Sequence, residues 1–505
     1  MDDILNSLLS LGCLGATIAV TSFLTIALRW SYRRHDVLRT VILGLTLLHE
    51  TALVTFPVWY AVLSNFKLER EMITGPGPAE LLIVMFGETF FVGLFTLALN
   101  INSGPVQTHS ENTLIGIKTT RPVLILLTVL GIFLALREIT APVASVEEAV
   151  RYADVKAYPG TGEMLAAWLF YVFQIPTLLA AAILFSRRGE STITRMLTVA
   201  NMALNLTPAF AVGHRARFTW IGVAVLAFSW VYKEKIKQLA SVMLVTILLP
   251  LFAFFGGQYR FDVVNHFAGI SQFRVLGYFR DSLQQGISNL DGSPPLEAFA
   301  LRAEGPRNST VLYSLYDQGH GAGIKPLIAS VYFIVPRVLW PNKRPAGGTD
   351  ESPYSGAMYV VKTYGHGAPT YVMGPLLASA HAYWEGGWFA VALAGLATGV
   401  IWRLILKFVG RLCLEMALLI GMVFATAFMI DGLYTALSPL YAIMRVFWQS
   451  IVPIVFLAWA ARALYGKRRT LPRGTRRAFY ASRFAPNWRL VLSRADWQSR
   501  SGSAG

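Results

Sequence analysis

The chain has 505 residues, 54% of them hydrophobic and only 14% charged, with a mean hydropathy of +0.50. Soluble domains carry about a quarter charged residues, so this balance excludes an ordinary soluble fold and points to a polytopic membrane protein. The formal charge of +16 does not imply nucleic acid, because the excess lies in short inter-helix loops and in the tail, where positive-inside bias places it.

A bilayer core needs roughly 20 apolar residues per helix. Runs of that kind fall at about 5–28, 40–63, 79–101, 121–143, 163–185, 194–212, 217–232 and 239–256, and again at about 372–402, 412–434 and 441–464. They are continuous rather than alternating, which excludes a transmembrane barrel. The expected fold is an all-α integral membrane protein of about eleven transmembrane helices. Its parts are an N-terminal bundle over 1–256, a large extracytoplasmic loop with short helices over 257–371, C-terminal helices over 372–464 and a basic tail over 465–505.

Basic residues set the orientation. Arg29, Arg33, Arg34 and Arg39 follow the first run, and Arg187, Arg188 and Arg195 the fifth. Lys233, Lys235 and Lys237 follow the seventh, and Arg403, Lys407 and Arg411 the ninth. All these loops fall on one side, which is therefore expected to be cytoplasmic, together with the tail from Lys467. The N-terminus and the large loop are then outside. Met1-Asp2-Asp3 is not the basic start of a signal peptide, so the first run is expected to be retained. Cys13 and Cys413 both fall within predicted spans, so neither a disulfide framework nor a Cys-based metal site is expected. The tail mixes arginines with Phe479, Tyr480, Phe484, Trp488 and Trp497, a composition suited to lying on anionic lipid.

One outer loop departs from the charge rule. Gly213-His214-Arg215-Ala216-Arg217 places a basic pair where such residues are disfavoured. Arg binds phosphate oxygens in pairs and stays charged at any relevant pH, so these side chains suit an anionic ligand at the membrane surface. His49, Glu50, Glu88, Arg137, Glu138, Asp431 and Arg445 lie inside predicted spans and are expected to face the bundle interior, mostly in structural pairs.

The long interruption from about Gly257 to Glu385 is where chemistry is expected. No P-loop, dinucleotide fingerprint, HExxH or Asp-x-Asp motif is present. An external site has no access to cytosolic ATP or nucleotide sugars. A group-transfer enzyme there needs a donor delivered within the membrane, and a lipid pyrophosphate is the obvious type. Arginines can stabilise its leaving group, doing the electrostatic work a divalent ion does elsewhere.

Three segments carry a resemblance. Tyr332-Phe333-Ile334-Val335-Pro336-Arg337-Val338-Leu339-Trp340-Pro341-Asn342-Lys343-Arg344-Pro345 resembles the I-P-R-x-x-W-P-x-K-P motif of Wzy-type polysaccharide repeat-unit polymerases. Leu377-Ala378-Ser379-Ala380-His381-Ala382-Tyr383-Trp384-Glu385-Gly386-Gly387-Trp388 is similar to the block that opens their next helix, and Gly213 to Arg217 resembles their G-S-R-G segment. His214 stands for the usual Ser, and His381 stands where many members have Glu. O-antigen ligases, built on the related GT-C-type membrane fold, use a His near that position.

The resemblance implies transfer of a glycan from undecaprenyl pyrophosphate to the terminal sugar of another lipid-linked repeat unit, at the periplasmic face of a bacterial inner membrane. Arg215, Arg217 and Arg337 would bind the pyrophosphate, with Arg274 and Arg280 as further candidates. His381 or Glu385, four apart and so on one helix face, would orient or deprotonate the acceptor hydroxyl. Tyr383, Trp384, Trp388 and Trp340 would stack on sugar rings, although an interfacial aromatic belt would place tryptophans there too. No metal and no cofactor are expected. Partners would be the lipid-linked oligosaccharide, membrane lipid and a chain-length-regulating co-polymerase. The alternatives are an O-antigen-type ligase and a lipid or polysaccharide transporter.

Overall fold

The computed structural model describes residues 2–34, 36–63, 78–101, 305–325 and 376–409, with scattered positions between 125 and 278. The chain divides into two compact units, Met1–Leu457 and Ala458–Gly505, and every described residue belongs to the first. The described residues are almost entirely helical: α1 (Asp2–Arg33), α2 (Val37–Glu50), a π-helical turn (Thr51–Thr55), α3 (Phe56–Leu63), α4 (Pro78–Asn100), α5 (Gly305–Asp317) and α6 (Ala378–Val409). Among the described residues, three helices are long and apolar enough to cross a membrane, over Ile4–Arg33, Pro78–Asn100 and Ala378–Lys407. The predicted spans at 121–143, 163–185, 194–212, 217–232, 239–256, 412–434 and 441–464 lie wholly or mostly outside the described residues.

Local chemistry explains the boundaries. Asp36 caps α2, its Oδ1 accepting the Arg39 amide at 3.1 Å, which satisfies one of the helix's orphan donors. The predicted second span at 40–63 is helical throughout, but α2 and α3 are joined by the π turn rather than by a regular helix. Pro57 accounts for the interruption: it has no amide to give the carbonyl of Leu53, and its ring crowds that carbonyl, so the ladder loosens just before it. α4 begins with Pro78, whose missing amide costs nothing in a first turn. Within the apolar helices, threonine hydroxyls bond carbonyls one turn back, as Thr25 does with Thr21 at 2.7 Å and Thr46 with Ile42 at 2.9 Å. Such bonds keep polar groups satisfied where no water is available.

Packing fixes direction. Cys13 and Gly12 on α1 meet Pro78 and Leu82 on α4, and Phe23 meets Gly93, so α1 and α4 run parallel. The run 37–63 returns antiparallel to α1, with Ser31 against Thr40 and Thr17 against Trp59. The later part of α6 runs parallel to α4, because Gly395 lies on Phe91 and Gly399 on Phe95. At Gly399 a β-carbon would lie 2.5 Å from the Phe95 carbonyl oxygen and 2.6 Å from the Ala98 β-carbon. Absence of a side chain is what lets the two backbones touch, as in small-residue helix contacts in membranes.

The apolar run at about 372–402 corresponds to α6, which begins at Ala378 and is broken at Gly386 and Gly387. Gly387 has φ +65° and ψ −156°, a region essentially closed to residues with a β-carbon. Tyr316 fills the space beside it, its hydroxyl 2.8 Å from where a β-carbon would stand. Gly387→Ala is expected to destabilise the protein by about 1–3 kcal/mol through this backbone strain, with the extra contact adding to it. Gly386, with an extended φ of −168°, should tolerate alanine better. Thermal melts of the two variants in detergent check the order.

Candidate active site

The break in α6 leaves a short first segment, 378–385, that carries His381, Tyr383, Trp384 and Glu385. α5 and the turn after it, 318–325, hold this segment in place. The Leu377 amide donates to Ser309 Oγ at 3.0 Å, meeting a donor that the start of a helix would otherwise leave orphaned. The Tyr383 hydroxyl donates to Asp317 Oδ1 at 2.9 Å, and Trp384 Nε1 donates to the His320 carbonyl at 3.0 Å. The Ala322 amide donates to the Trp384 carbonyl at 2.9 Å. From α4, buried Glu88 accepts the Ser379 hydroxyl at 2.5 Å. Five hydrogen bonds over residues 377–384 make this a rigid support, which a positioned catalytic group requires.

Aromatic rings complete the clamp. Tyr313 stacks on Tyr383 with centroids 4.1 Å apart, and Tyr316 meets Tyr383 edge-on at 4.9 Å. Trp388 stands edge-on to Tyr383 at 5.2 Å and to Phe90 at 6.5 Å. Tyr383 and Trp384 are buried within this cluster, whereas Trp388 is 44% exposed.

His381 and Glu385 come together as the i, i+4 spacing implies. Nδ1 of His381 lies 3.0 Å from Glu385 Oε1, within ion-pair range though not aligned as a hydrogen bond. His381 is 1% exposed and Glu385 18%, so the pair meets the outside at the carboxylate. Nε2 of His381 has no hydrogen-bond partner and stands opposite the nitrogen that faces Glu385. Such an arrangement can take a proton at Nε2 while the carboxylate orients the ring and offsets the charge gained. Loose alignment of this kind commonly tightens once substrate is bound.

Of the other residues singled out in the sequence, Arg274 is exposed, its amide bonded to the Ser271 carbonyl at 3.0 Å. Arg215, Arg217, Arg280, Arg337 and Trp340 lie outside the described residues. Sequence reasoning missed Ser309, Tyr313, Tyr316, Ser379 and the role of Glu88. Glu88 carried a signal, as a carboxylate inside an apolar run needs a partner. The Gly386-Gly387 pair signalled the break. Among the described residues, no group of three or more His, Cys, Asp or Glu side chains could hold a metal ion. In comparisons with known proteins, no family model, no curated protein and no solved structure matches this chain.

Proposed function

We propose that this protein is a membrane glycosyltransferase of the Wzy polymerase type, passing a glycan from undecaprenyl pyrophosphate to the terminal sugar of another lipid-linked repeat unit. The observation that carries the reading is the His381–Glu385 pair, at 3.0 Å, on a short helix held from three directions. His381 Nε2 takes the acceptor hydroxyl's proton as the hydroxyl oxygen bonds the donor's anomeric carbon. The bond from that carbon to the pyrophosphate oxygen breaks, and the diphosphate leaves on its lipid. Arg215, Arg217 and Arg337, with Arg274 and Arg280 in support, meet the charge of the leaving diphosphate, so the step calls for no metal. Trp388, 44% exposed and edge-on to Tyr383, offers a ring for a sugar face.

In this reading the parallel α1, α4 and α6 belong to a GT-C-like bundle of about eleven spans in a bacterial inner membrane. The shared direction of these helices, and the basic residues Arg33 and Lys407 in the last turns of α1 and α6, favour a cytoplasmic face at those ends and a periplasmic site. A chain-length-regulating co-polymerase is the partner such an enzyme would take.

The test is mass analysis of lipid-linked glycans in cells lacking the protein. Single repeat units left on the lipid are the expected result. Long chains left on the lipid would mean a ligase instead, and no repeat units at the outer face would mean a transporter. Restoring the deletion with Arg215→Ala, Arg217→Ala or Arg337→Ala should leave protein level near normal while transfer falls about 10²-fold or more.

A further inference from the structure

A cluster of charged side chains lies at the other end of the bundle, where α1 turns into α2 and α6 ends. Arg39 is 1% exposed, yet Nε and Nη1 of its guanidinium have no hydrogen-bond partner. The carboxylate acting on it is that of Asp36, whose Oδ2 lies 3.5 Å from Nη1. That is longer than the 2.7–2.9 Å of a charge-assisted bond, and the other Asp36 oxygen already caps α2.

The surroundings add positive charge rather than removing it. Arg34 lies over the Trp30 ring at 3.7 Å, and Arg39 approaches the same ring at 5.7 Å. Burial works against the charge of Arg39, Asp36 works for it, and the guanidiniums of Arg34 and Arg403 work against it. Among the described residues, then, Arg39 meets one carboxylate and two further guanidiniums. A buried cation persists only when paired and hydrogen-bonded, so the two unpartnered donors of Arg39 suit an anion.

We propose that Arg39, with Arg34 and Arg403 around it, binds a phosphate-type oxyanion at this end of the bundle. A tetrahedral oxyanion has enough oxygens to serve several guanidinium donors at once, which one carboxylate does not. Two sources offer that chemistry: the headgroup of an anionic phospholipid and free phosphate. The site is independent of the His381–Glu385 pair and of the reaction assigned to it.

The experiment uses the full chain, purified in detergent and stripped of lipid, with thermal unfolding followed by tryptophan fluorescence. One arm adds mixed micelles of phosphatidylglycerol or of phosphatidylcholine. The other replaces chloride with inorganic phosphate at constant ionic strength. Wild type should unfold at a higher temperature with phosphatidylglycerol than with phosphatidylcholine, and phosphate alone should do the same if the source is soluble. Arg39→Gln should weaken the apparent affinity by roughly thirtyfold or more, the cost of losing one partner from a buried charge pair. Arg403→Gln, at a less buried position, should weaken it less and serves if Arg39→Gln does not fold. Equal responses of wild type and both variants to both anions, or no response in wild type, would overturn the proposal.

Discussion

His381→Ala is expected to lower the rate of glycan transfer by about 10²–10⁴-fold, the range general-base catalysis supplies, with protein level held near wild type. Its imidazole keeps one nitrogen, Nε2, without a hydrogen-bond partner, and Glu385 lies on the far side of the ring, 3.0 Å from Nδ1. Glu385→Gln keeps the shape and removes the charge that offsets a protonated imidazole, so it should cost less than His381→Ala. Because the two act as one unit, the double variant should lose little more than His381→Ala alone. The readout is the initial rate of chain extension on a lipid-linked acceptor, normalised to folded protein. Nearly unchanged rates in all three variants would place the chemistry elsewhere, and additive losses would mean that the two side chains act separately.

The largest expected effect on stability comes from Gly399. A β-carbon there would lie 2.5 Å from the Phe95 carbonyl oxygen, 2.6 Å from the Ala98 β-carbon and 3.0 Å from the Leu99 amide nitrogen. These neighbours are helix backbone and a methyl group with nowhere to rotate, so α4 and α6 must separate. Gly399→Leu is expected to cost about 3 kcal/mol or more, at or above the top of the range for overpacking. Separation would also pull Glu88 away from Ser379 and so loosen the segment that carries His381. The matched control is Gly15→Ala on α1, where a β-carbon meets nothing within 4 Å and little change is expected. Thermal melts and the yield of folded protein in detergent check both. Equal melting temperatures for the Gly399→Leu variant and wild type would contradict the close approach.

These cases show why some features were legible in the sequence and others were not. Long apolar runs announce helices by composition alone, and α1, the 37–63 run and α4 lie within a few residues of the expected spans. The His381–Glu385 contact was legible for a similarly local reason, since four residues make one helical turn. Contacts between distant segments carry no local period. Ser309 on Leu377 and Glu88 on Ser379 join residues 68 and 291 positions apart, and nothing near either partner names the other. The π turn was masked by its own hydrophobicity, because an apolar run containing Pro57 suggests a span without revealing how the ladder adapts. The break in α6 lay in plain view as Gly386-Gly387, but neighbouring apolar residues made the run look continuous.

Anchoring of the segment 378–385 from α4, from α5 and from the turn after α5 turns a pair of ordinary residues into a candidate catalytic dyad. Its chemistry is tested most directly by putting the purified full chain into proteoliposomes with an undecaprenyl-pyrophosphate-linked repeat unit as the only substrate, in the presence of EDTA. Mass analysis should then find products of two and more repeat units with wild type, and only the starting unit with His381→Ala. A product ladder from His381→Ala equal to that of wild type, or a strict requirement for added Mg²⁺, would contradict the assignment.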